Sequence, residues 1–265
     1  MSSKLCVSGA LGRMGRFVCG LAASDPGIEL MHGFDLSGGA EVLSGGIRVY
    51  SPDQMTAIFE LEAARPDILL IFINDPTAVL EQATIAAGFG IKVAIGTTGL
   101  SEADLAKLKE LGVRIPILVT SNFSLGVNLL KKLVALAAAA LPGFDVEIVE
   151  EHHGAKLDSP SGTASMLVKA VEQGRQVSLS QVHGRSGRAS QARQPDEIGV
   201  HAVRAGKIAG NHEAVFAGQY DVLRLRHEAI SPIGFAAGAL VAIKWMSQLA
   251  APGWYSMDQV LGLEE

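Results

Sequence analysis

The first 120 residues of this 265-residue chain alternate short apolar segments with segments of helical spacing. Residues 68–73 form a continuous apolar run, which is typical of a parallel strand that is buried on both faces. Such alternation predicts a doubly wound α/β domain, in which ligands bind at the carboxyl ends of the strands. We predict strands at 5–8, 29–34, 67–73, 92–95 and 115–119, and helices at 13–23, 52–64, 76–87 and 101–111.

After residue 123 the pattern changes to that of an α+β domain. Its strand-like runs are close together, alternate in polarity and lack long crossovers, which indicates an antiparallel or mixed sheet. We expect a first domain of residues 1–123 plus 234–265 and a second domain of residues 124–233. The predicted strands are 145–150, 198–204, 213–216 and 221–227, and the predicted helices are 125–141, from about 161, 235–249 and 257–261.

Composition narrows the partners and the compartment. With 22 basic and 27 acidic residues the formal charge is −5, which argues against a nucleic-acid-binding surface. No apolar run reaches the roughly 18 residues that a membrane span needs. Two cysteines are too few for a disulfide scaffold, and no signal-peptide organisation is present. We therefore expect a cytoplasmic protein that binds a small molecule and neither nucleic acid nor membrane.

A glycine-rich turn follows the first predicted strand and opens the first helix. Glycines there allow a tight turn and a close approach of the backbone to a pyrophosphate, which the helix N-terminus binds. The spacing is G-x-x-G-x-x-G and not the commoner G-x-G-x-x-G, so an ordinary strand-to-helix turn is the alternative interpretation. The expected cofactor-binding residues of this turn are Gly9, Ala10, Leu11, Gly12, Arg13 and Met14.

Asp35 at the end of the second predicted strand supports the nucleotide interpretation. It stands twenty residues after Gly15, where an acidic side chain accepts hydrogen bonds from the adenine-ribose hydroxyls. Leu36 comes next, so no adjacent arginine pairs with a 2′-phosphate, which favours NADH over NADPH; Arg13 is the other cation within reach. The residues after two later predicted strands are expected to lie at the nicotinamide. The alternative is that they only form ordinary turns, in which glycine and small polar residues are common. Their residues are Gly96, Thr97, Thr98, Thr120, Ser121, Asn122 and Phe123.

The densest chemical signal lies in residues 150–164. His152 and Lys156 are four residues apart, on one side of the chain under the helical or the strand period, so one can deliver a proton while the other holds an anion. Zinc is a competing interpretation, but adjacent histidines diverge in regular structure and no cysteine or carboxylate has ligand spacing, so we expect no metal. A histidine satisfied at a strand end is the structural alternative.

A helix N-terminus is predicted directly after this segment. Pro160 suits the first helical position, with Ser159 as the cap. Ser161, Gly162 and Thr163 would then offer free backbone N–H groups to an anion, here a carboxylate.

These motifs resemble those of one family, the 4-hydroxy-tetrahydrodipicolinate reductases, which are nicotinamide-dependent reductases of bacterial and plant lysine synthesis. The longest matching motif is H-H-x-x-K-x-D-x-P-S-G-T-A at residues 152–164, and the glycine-rich turn at residues 9–15 also matches. Shorter matches lie at residues 96–99, 121–124, 203–206, 212–216 and 235–239. The resemblance extends over essentially the whole chain.

The resemblance implies a Rossmann-type domain, residues 1–123 plus 234–265, that binds the dinucleotide. It implies that residues 124–233 bind the substrate and assemble a homotetramer. The implied reaction is hydride transfer from NADH or NADPH to C4 of the cyclic imine dicarboxylate that forms when 4-hydroxy-tetrahydrodipicolinate loses water. The product, tetrahydrodipicolinate, belongs to the diaminopimelate route to lysine.

The resemblance also implies the roles of individual residues. His152 would donate or accept a proton, and Lys156 would be a second donor that also engages the substrate. If residues 152–156 formed a regular strand, His153 would face away, so the segment must be irregular for both histidines to take part. The residues expected to bind the substrate are His153, Ser161, Gly162 and Thr163.

Two positions depart from the family pattern. Asp35 stands where many members carry glutamate followed by arginine, which sharpens the preference for NADH. Pro232 stands where arginine is expected, which puts any substrate or interface contact at that position in question. A separate arginine-rich loop is either a lid over an acidic substrate or a solvated charged loop. Its arginines are Arg185, Arg188 and Arg193.

Two other functions fit part of the sequence. Another two-domain NAD(P)-dependent oxidoreductase, of the aspartate or homoserine dehydrogenase type, would share the nucleotide-binding half but not the long motif. A non-catalytic dinucleotide sensor would not need His152 or Lys156, and the sequence shows no second effector-binding module.

Overall fold

The computed structural model of the chain describes residues 2–39, 41–43, 45–187 and 192–264. By its internal contacts the chain forms two compact units, Met1–Leu125 together with Ile233–Glu265, and Gly126–Pro232. Within the described ranges, no helix combines the length and the apolar character that a bilayer crossing requires.

Strands and helices alternate through the first unit. Its strands up to residue 119 are β1 (Ser3–Ser8), β2 (Ile28–Phe34), β3 (Val42–Leu43), β4 (Ile47–Tyr50), β5 (Ile68–Ile71), β6 (Lys92–Ile95) and β7 (Pro116–Val119). The helices between them are α1 (Arg13–Ala22), α2 (Met55–Glu60), α3 (Pro76–Gly88) and α4 (Glu102–Leu111).

The second unit follows, and the last elements belong to the first unit again. The second unit contains α5 (Leu125–Ala140, which starts at the boundary), β8 (Asp145–His152), α6 (Gly162–Arg175), β9 (Ser180–Val182), β10 (Glu197–Arg204), β11 (Asn211–Ala217) and β12 (Val222–Glu228). The returning elements are α7 (Ile233–Ser247), β13 (Gly253–Tyr255) and α8 (Met257–Val260).

The sheet of the first unit has the order β13-β7-β6-β5-β1-β2-β4-β3 among the described residues. Its strand pairs are parallel except for β3 with β4. All four residues of β5 are buried, as expected for a strand covered on both faces. The strand order reverses at β1, which has β2 on one side and β5 on the other, and this reversal marks the ligand edge of a doubly wound sheet. The predicted α/β fold is confirmed.

The second unit is built on a mixed sheet with the order β12-β11-β8-β10-β9 among the described residues. The strand β10 runs parallel to β8 and β9, whereas β11 runs antiparallel to β8 and β12. Every second residue of β8 is buried, from Val146 to His152, and these side chains face the core that α5 and α6 complete. The predicted mixed sheet is confirmed, and β8 extends two residues beyond the predicted end.

Several short elements differ from the prediction. The single helix expected at residues 52–64 is interrupted at Leu61, whose extended backbone (φ −77°, ψ 104°) separates α2 from a short 3-10 turn. The short strands β3, β4, β9 and β13 were not predicted, because they lack the longer apolar runs that mark β5, β6 and β7.

Gly15 in α1 is the tightest packing constraint on the start of this fold. A Cβ at this position would lie 2.1 Å from the carbonyl oxygen of Gly9 and 2.7 Å from the Cα of Ala10. We expect Gly15→Ala to lower the free energy of unfolding by about 1–3 kcal/mol, measured by urea denaturation. Gly20→Ala, in the same helix with nothing within 4 Å, is the control and should be neutral or stabilising. Equal effects of the two changes would contradict the packing argument.

Candidate active site

Backbone hydrogen bonds hold the glycine-rich turn between the ends of β1 and β2. The amides of Gly9 and Ala10 both donate to the carbonyl of Phe34, at 2.8 and 3.2 Å. Gly9 has φ +78°, and a Cβ there would lie 2.3 Å from the carbonyl oxygen of Phe72. The chain enters α1 at Arg13, where the first helical amides lack intrahelical acceptors and therefore suit an anion.

The carboxylate of Asp35 is tied to this turn. Asp35 follows β2 directly, and its Oδ2 accepts a hydrogen bond from the amide of Leu11 at 3.0 Å. Its Oδ1 accepts from the amide of Ser37 at 3.3 Å. The sequence-predicted ribose acceptor therefore lies next to the sequence-predicted pyrophosphate turn.

A cavity of about 770 Å³ opens beside Asp35 and the turn, within the usual size range of small-molecule sites. Its described lining includes four carboxylates and neither lysine nor arginine. Leu36, which follows Asp35, is 90% exposed and also lines the cavity. A wall of this charge suits ribose hydroxyls and opposes a phosphate dianion. The four acidic residues are Asp35, Asp53, Asp75 and Glu81.

The turn after β6 packs on a pair of aromatic rings. Phe72 and Phe123 meet edge to face with their centroids 5.6 Å apart, and a Cβ at Gly96 would lie 2.2 Å from the Phe72 ring. The hydroxyl of Thr97 donates to a backbone carbonyl after β5 at 2.6 Å, whereas Thr98 is exposed. Phe123 and Thr97 thus support this turn from inside.

The turn after β7 is closed by its own polar groups. The hydroxyl of Thr120 donates to the carbonyl of Asn122 at 2.9 Å and accepts from the amide of the same residue at 3.1 Å. The side chain of Asn122 accepts from the amide of Ser124 at 2.8 Å, and Ser121 is exposed. Because β1, β2, β6 and β7 all run parallel, the structure brings the expected cofactor-binding residues to one edge of the sheet.

The second unit contains a carboxylate with no exposed surface, Glu150 on β8. Its Oε1 accepts a hydrogen bond from Nη2 of Arg204 on β10 at 2.8 Å. Its Oε2 accepts from the amide of Ser161, directly before α6, at 3.1 Å. Burial opposes ionisation of this carboxyl group, but the hydrogen bonds from Ser161 and Arg204 outweigh burial and hold its pKa below the usual range. An ionised group is therefore buried at the start of the segment of residues 150–164.

Two histidine rings lie against this carboxylate. His152 is two residues after Glu150 on the same face of β8, and its Nδ1 lies 3.3 Å from Oε2. His212 is opposite Glu150 on β11, with its Nε2 3.8 Å from the same oxygen and 3.1 Å from Oγ of Ser161. The two rings meet edge to face with centroids 5.0 Å apart. Burial lowers the pKa of His152, and it lowers that of His212 to about 3.

The strand β8 ends at His152, and residues 153–161 have no regular structure. The backbone turns at once, and the amide of Lys156 donates to the carbonyl of His153 at 3.1 Å. The predicted break in the strand after His152 is confirmed. The side chain of His153 is therefore not forced to the opposite face from His152, as it would be in a continuous strand. The ammonium group of Lys156 donates to both carboxylate oxygens of Asp158 at 2.7 and 2.8 Å. This hydrogen bond holds the pKa of Asp158 below its usual range.

The start of α6 differs from the prediction. Ser161, and not Ser159, is the cap: its hydroxyl accepts from the amide of Ala164, and the helix begins at Gly162. The predicted free N–H of Ser161 is wrong, because this amide donates to Glu150. Gly162 and Thr163 occupy the first two helical positions of α6, at the end of the helix whose dipole favours an anion.

Arg185 and Arg193 of the arginine-rich loop lie within the described residues, and both form ion pairs. Arg185 pairs with Glu197, and Arg193 pairs with Asp145 at 2.9 Å and with Glu147. These contacts fit the charged-loop alternative for the two residues. Arg188 lies outside the described residues.

Glu150, His152 and His212 also place three possible ligand atoms within 4.8 Å of one another in the described part of the chain. This is a donor set that a divalent transition metal accepts. However, the guanidinium group of Arg204 and an amide already supply positive charge and hydrogen bonds to the carboxylate. The charge balance of the cluster therefore needs no metal.

Sequence reasoning assigned no role to three residues of this cluster: Glu150, Arg204 and His212. A contact between Glu150 and His152 could have been predicted, because residues two positions apart lie on the same face of any strand. The other two are brought in by strand pairing, which places Arg204 opposite His152 and His212 opposite Glu150. No local pattern in the sequence encodes that pairing.

Two solved structures, a reductase and a dehydrogenase, share the fold of this chain. A dipicolinate-bound dihydrodipicolinate reductase from Paenisporosarcina sp. TG-14 superposes with a TM-score of 0.79 at 24% identity, covering 97% of this chain and 98% of that one. An amine dehydrogenase from Mycobacterium smegmatis superposes with a TM-score of 0.65 at 14% identity, covering 96% and 95%. At these identities the two structures show that this chain shares their fold.

Family and relatives narrow this comparison. The family model for the N-terminus of dihydrodipicolinate reductase matches residues 3–123, and the model for its C-terminus matches residues 126–261. A 4-hydroxy-tetrahydrodipicolinate reductase from Thiobacillus denitrificans is 39% identical over the full length of both chains. One from Methanocorpusculum labreanum is 36% identical over 98% of this chain and 99% of its own. This chain belongs to the dihydrodipicolinate reductase family.

His212 makes stability depend on pH in a defined direction. Its folded-state pKa of about 3 lies below the ordinary histidine value of 6.5, so between these values the unfolded chain binds a proton that the folded chain does not. We expect this residue to cost about 1.4 kcal/mol of stability per pH unit as the pH falls below 6.5. Urea denaturation between pH 4 and 7 should therefore show a shallower pH dependence for His212→Gln than for the wild type.

The control for this measurement is His183→Gln, which changes an exposed histidine of the same unit and should keep the wild-type slope. A wild-type slope in His212→Gln would show that the ring is protonated in the folded state.

Proposed function

We propose that this chain catalyses the NAD(P)H-dependent reduction of the imine formed from 4-hydroxy-tetrahydrodipicolinate, giving tetrahydrodipicolinate in the diaminopimelate route to lysine. The observation that carries this proposal is the full-length match to reductases of that name, 36–40% identical. The motif with the expected proton donors also folds around an ionised buried carboxylate, whose charge acts on the protonation of His152. The aspartate and homoserine dehydrogenase alternative lacks this motif.

The second unit would bind the dicarboxylate substrate. The ammonium group of Lys156 and the N-terminal end of α6, which begins with Gly162 and Thr163, are the positive groups for its carboxylates. His153, half-buried directly after β8, would contribute a further hydrogen bond. Ser161 would act indirectly in substrate binding, since its amide and hydroxyl are engaged by Glu150 and by other groups of the protein.

The first unit would bind the cofactor, with the glycine-rich turn at the pyrophosphate and Asp35 at the adenine ribose. When bound, NAD(P)H supplies the hydride. We propose NADH as the preferred cofactor, because the described lining of the cavity beside Asp35 is acidic and holds no cation for a 2′-phosphate. The turns after β6 and β7 would hold the nicotinamide half.

Protein groups would supply the proton that hydride addition requires. His152 would donate or accept this proton, and Lys156 would be a second donor that also neutralises the substrate. In the structure the ammonium group of Lys156 is bound to Asp158. A substrate carboxylate would therefore compete with Asp158 for Lys156.

We further propose a cytoplasmic homotetramer. Both cysteines, Cys6 and Cys19, are buried free thiols, which suits a reducing compartment. The outer strand β12 carries exposed apolar side chains at Val222 and Leu223, and such a strand suits an interface with another copy.

The proposed activity has a direct test. The purified chain should oxidise NADH when freshly made 4-hydroxy-tetrahydrodipicolinate is added, followed by the loss of NADH absorbance. The combined changes His152→Ala and Lys156→Ala should lower kcat by at least about 100-fold, because both proton donors are removed. Lys169→Ala, an exposed lysine of α6, is the control. Unchanged turnover in the double variant would contradict the site, and tight NADH binding without turnover in the wild type would indicate a sensor.

The cofactor preference is tested by comparing kcat/KM for NADH and NADPH. We expect NADH to be favoured by at least about tenfold, which corresponds to 1.4 kcal/mol. Asp35→Asn should narrow this ratio, because it removes a charge that repels the 2′-phosphate. Asp67→Asn, an exposed carboxylate before β5 at the opposite sheet edge, should leave the ratio unchanged. Preference for NADPH in the wild type would overturn the assignment.

A further inference from the structure

The buried carboxylate behind His152 has a specific geometric relation to that ring. Oε2 of Glu150 lies 3.3 Å from Nδ1 of His152, whose side chain is only 10% exposed. We propose that Glu150 is a positioning residue, which holds the Nδ1 edge of His152 and so presents Nε2 to the substrate. This inference rests on the proposed function, because it requires His152 to transfer a proton.

Glu150 is itself fixed by two other elements. Arg204 on β10 donates to Oε1 at 2.8 Å, and the amide of Ser161 before α6 donates to Oε2 at 3.1 Å. The same guanidinium group donates to the carbonyl of Asp158 at 2.6 Å, so it joins the carboxylate to the segment that carries Lys156. A carboxylate held in this way is ionised and cannot turn away from His152.

His212 is the second ring beside Glu150, and it does not compete for the negative charge. Its Nε2 lies 3.1 Å from Oγ of Ser161 and 3.8 Å from Oε2 of Glu150. Burial lowers its pKa to about 3, so the ring is neutral at neutral pH. The carboxylate can therefore pair with a protonated His152.

The opposite edge of the His152 ring faces a glycine. Gly210 has φ +148°, and a Cβ there would lie 3.1 Å from Nε2 of His152. The missing side chain leaves room next to this nitrogen. Nδ1 of His152 makes no hydrogen bond within the described residues, and we propose Oε2 of Glu150, 3.3 Å away, as the acceptor of its proton. The neutral ring would then keep its lone pair on Nε2, and the protonated ring would donate from Nε2.

Several charged groups act on the protonation of His152 besides Glu150. Burial has the largest effect and lowers the pKa; the cations lower it further, whereas the two carboxylates raise it. Of these carboxylates, Asp158 is engaged by Lys156 through both oxygens, whereas Oε2 of Glu150 lies 3.3 Å from Nδ1. Loss of the Glu150 charge should therefore lower the pKa of His152 further. The titratable and charged groups facing the ring are Glu150, Lys156, Asp158, Arg204 and His212.

The test is Glu150→Gln, which removes the charge and keeps the size of the side chain. We expect kcat to fall about 10- to 100-fold with an unchanged KM for NADH. The limb of the pH–rate profile governed by His152 should move to lower pH, because the charge that raises the pKa of this ring is removed. In a His152→Ala background the same change should lower kcat no further, since Glu150 acts through that ring.

The matched control is Glu147→Gln. Glu147 is on the same strand and also pairs with a histidine and an arginine, His201 and Arg193, but on the other face of β8. This variant should keep the wild-type kcat and pH profile. Equal losses in the two variants would reduce the role of Glu150 to general stability of the strand and overturn the proposal.

A measurement on the wild type keeps the proposal testable if Glu150→Gln does not fold. Nitrogen-15 NMR of histidine-labelled protein should show neutral His152 with its proton on Nδ1, and a proton on Nε2 would overturn the proposal.

If the wild type and Glu150→Gln turn over equally while His152→Ala is inactive, the positioning role of Glu150 is wrong but the proposed function stands. If the wild type has no turnover, the proposed function fails. Inhibition by micromolar Zn²⁺ that Glu150→Gln abolishes would assign the cluster to a metal and also overturn the proposal.

Discussion

The second unit depends on one buried charge. A carboxylate without solvent contact is costly unless it is paired and hydrogen-bonded, and Glu150 receives both forms of compensation, from Arg204 on β10 and from the amide of Ser161 before α6. A shift of β10 along β8 would separate Arg204 from Glu150, so the charge favours the observed register of these strands. The same compensation places the start of α6 next to His152. Structure and proposed chemistry therefore share one electrostatic requirement.

In the first unit the corresponding constraint is steric. The glycine-rich turn must pass close to the backbone after β5 and to α1, and there is no space for a side chain at Gly9 or Gly15. The parallel register of the sheet then brings this turn to the same edge as the turns after β6 and β7. Asp35 connects that edge to the acidic cavity through its bond to Leu11. A nucleotide-binding edge of this kind follows from backbone geometry more than from any single side chain.

Local sequence predicts those elements whose structure depends mainly on their own residues. The apolar run at residues 68–73 predicted a buried parallel strand, and β5 is buried at every position. The irregularity expected after His152 is present, because β8 ends there. The start of α6 was assigned to the wrong cap, because Ser159 and Ser161 are equally good caps locally and only the contact with Glu150 distinguishes them. The helix at residues 52–64 was predicted as continuous, since nothing in its composition marks the break at Leu61.

The sequence by itself determined the fold class, the glycine-rich turn, the acidic residue beside it and the segment that carries His152 and Lys156. These features depend on periodicity and spacing, which are local properties of the chain. Only the tertiary structure decided that Arg204 and His212 join Glu150 behind His152, because both residues arrive through strand pairing over more than 50 positions. It also decided that the amide of Ser161 serves the protein's own carboxylate. The physical reason is that the partners of a buried charge are the groups that the fold brings close to it, and the local spacing of residues in the sequence does not encode those contacts.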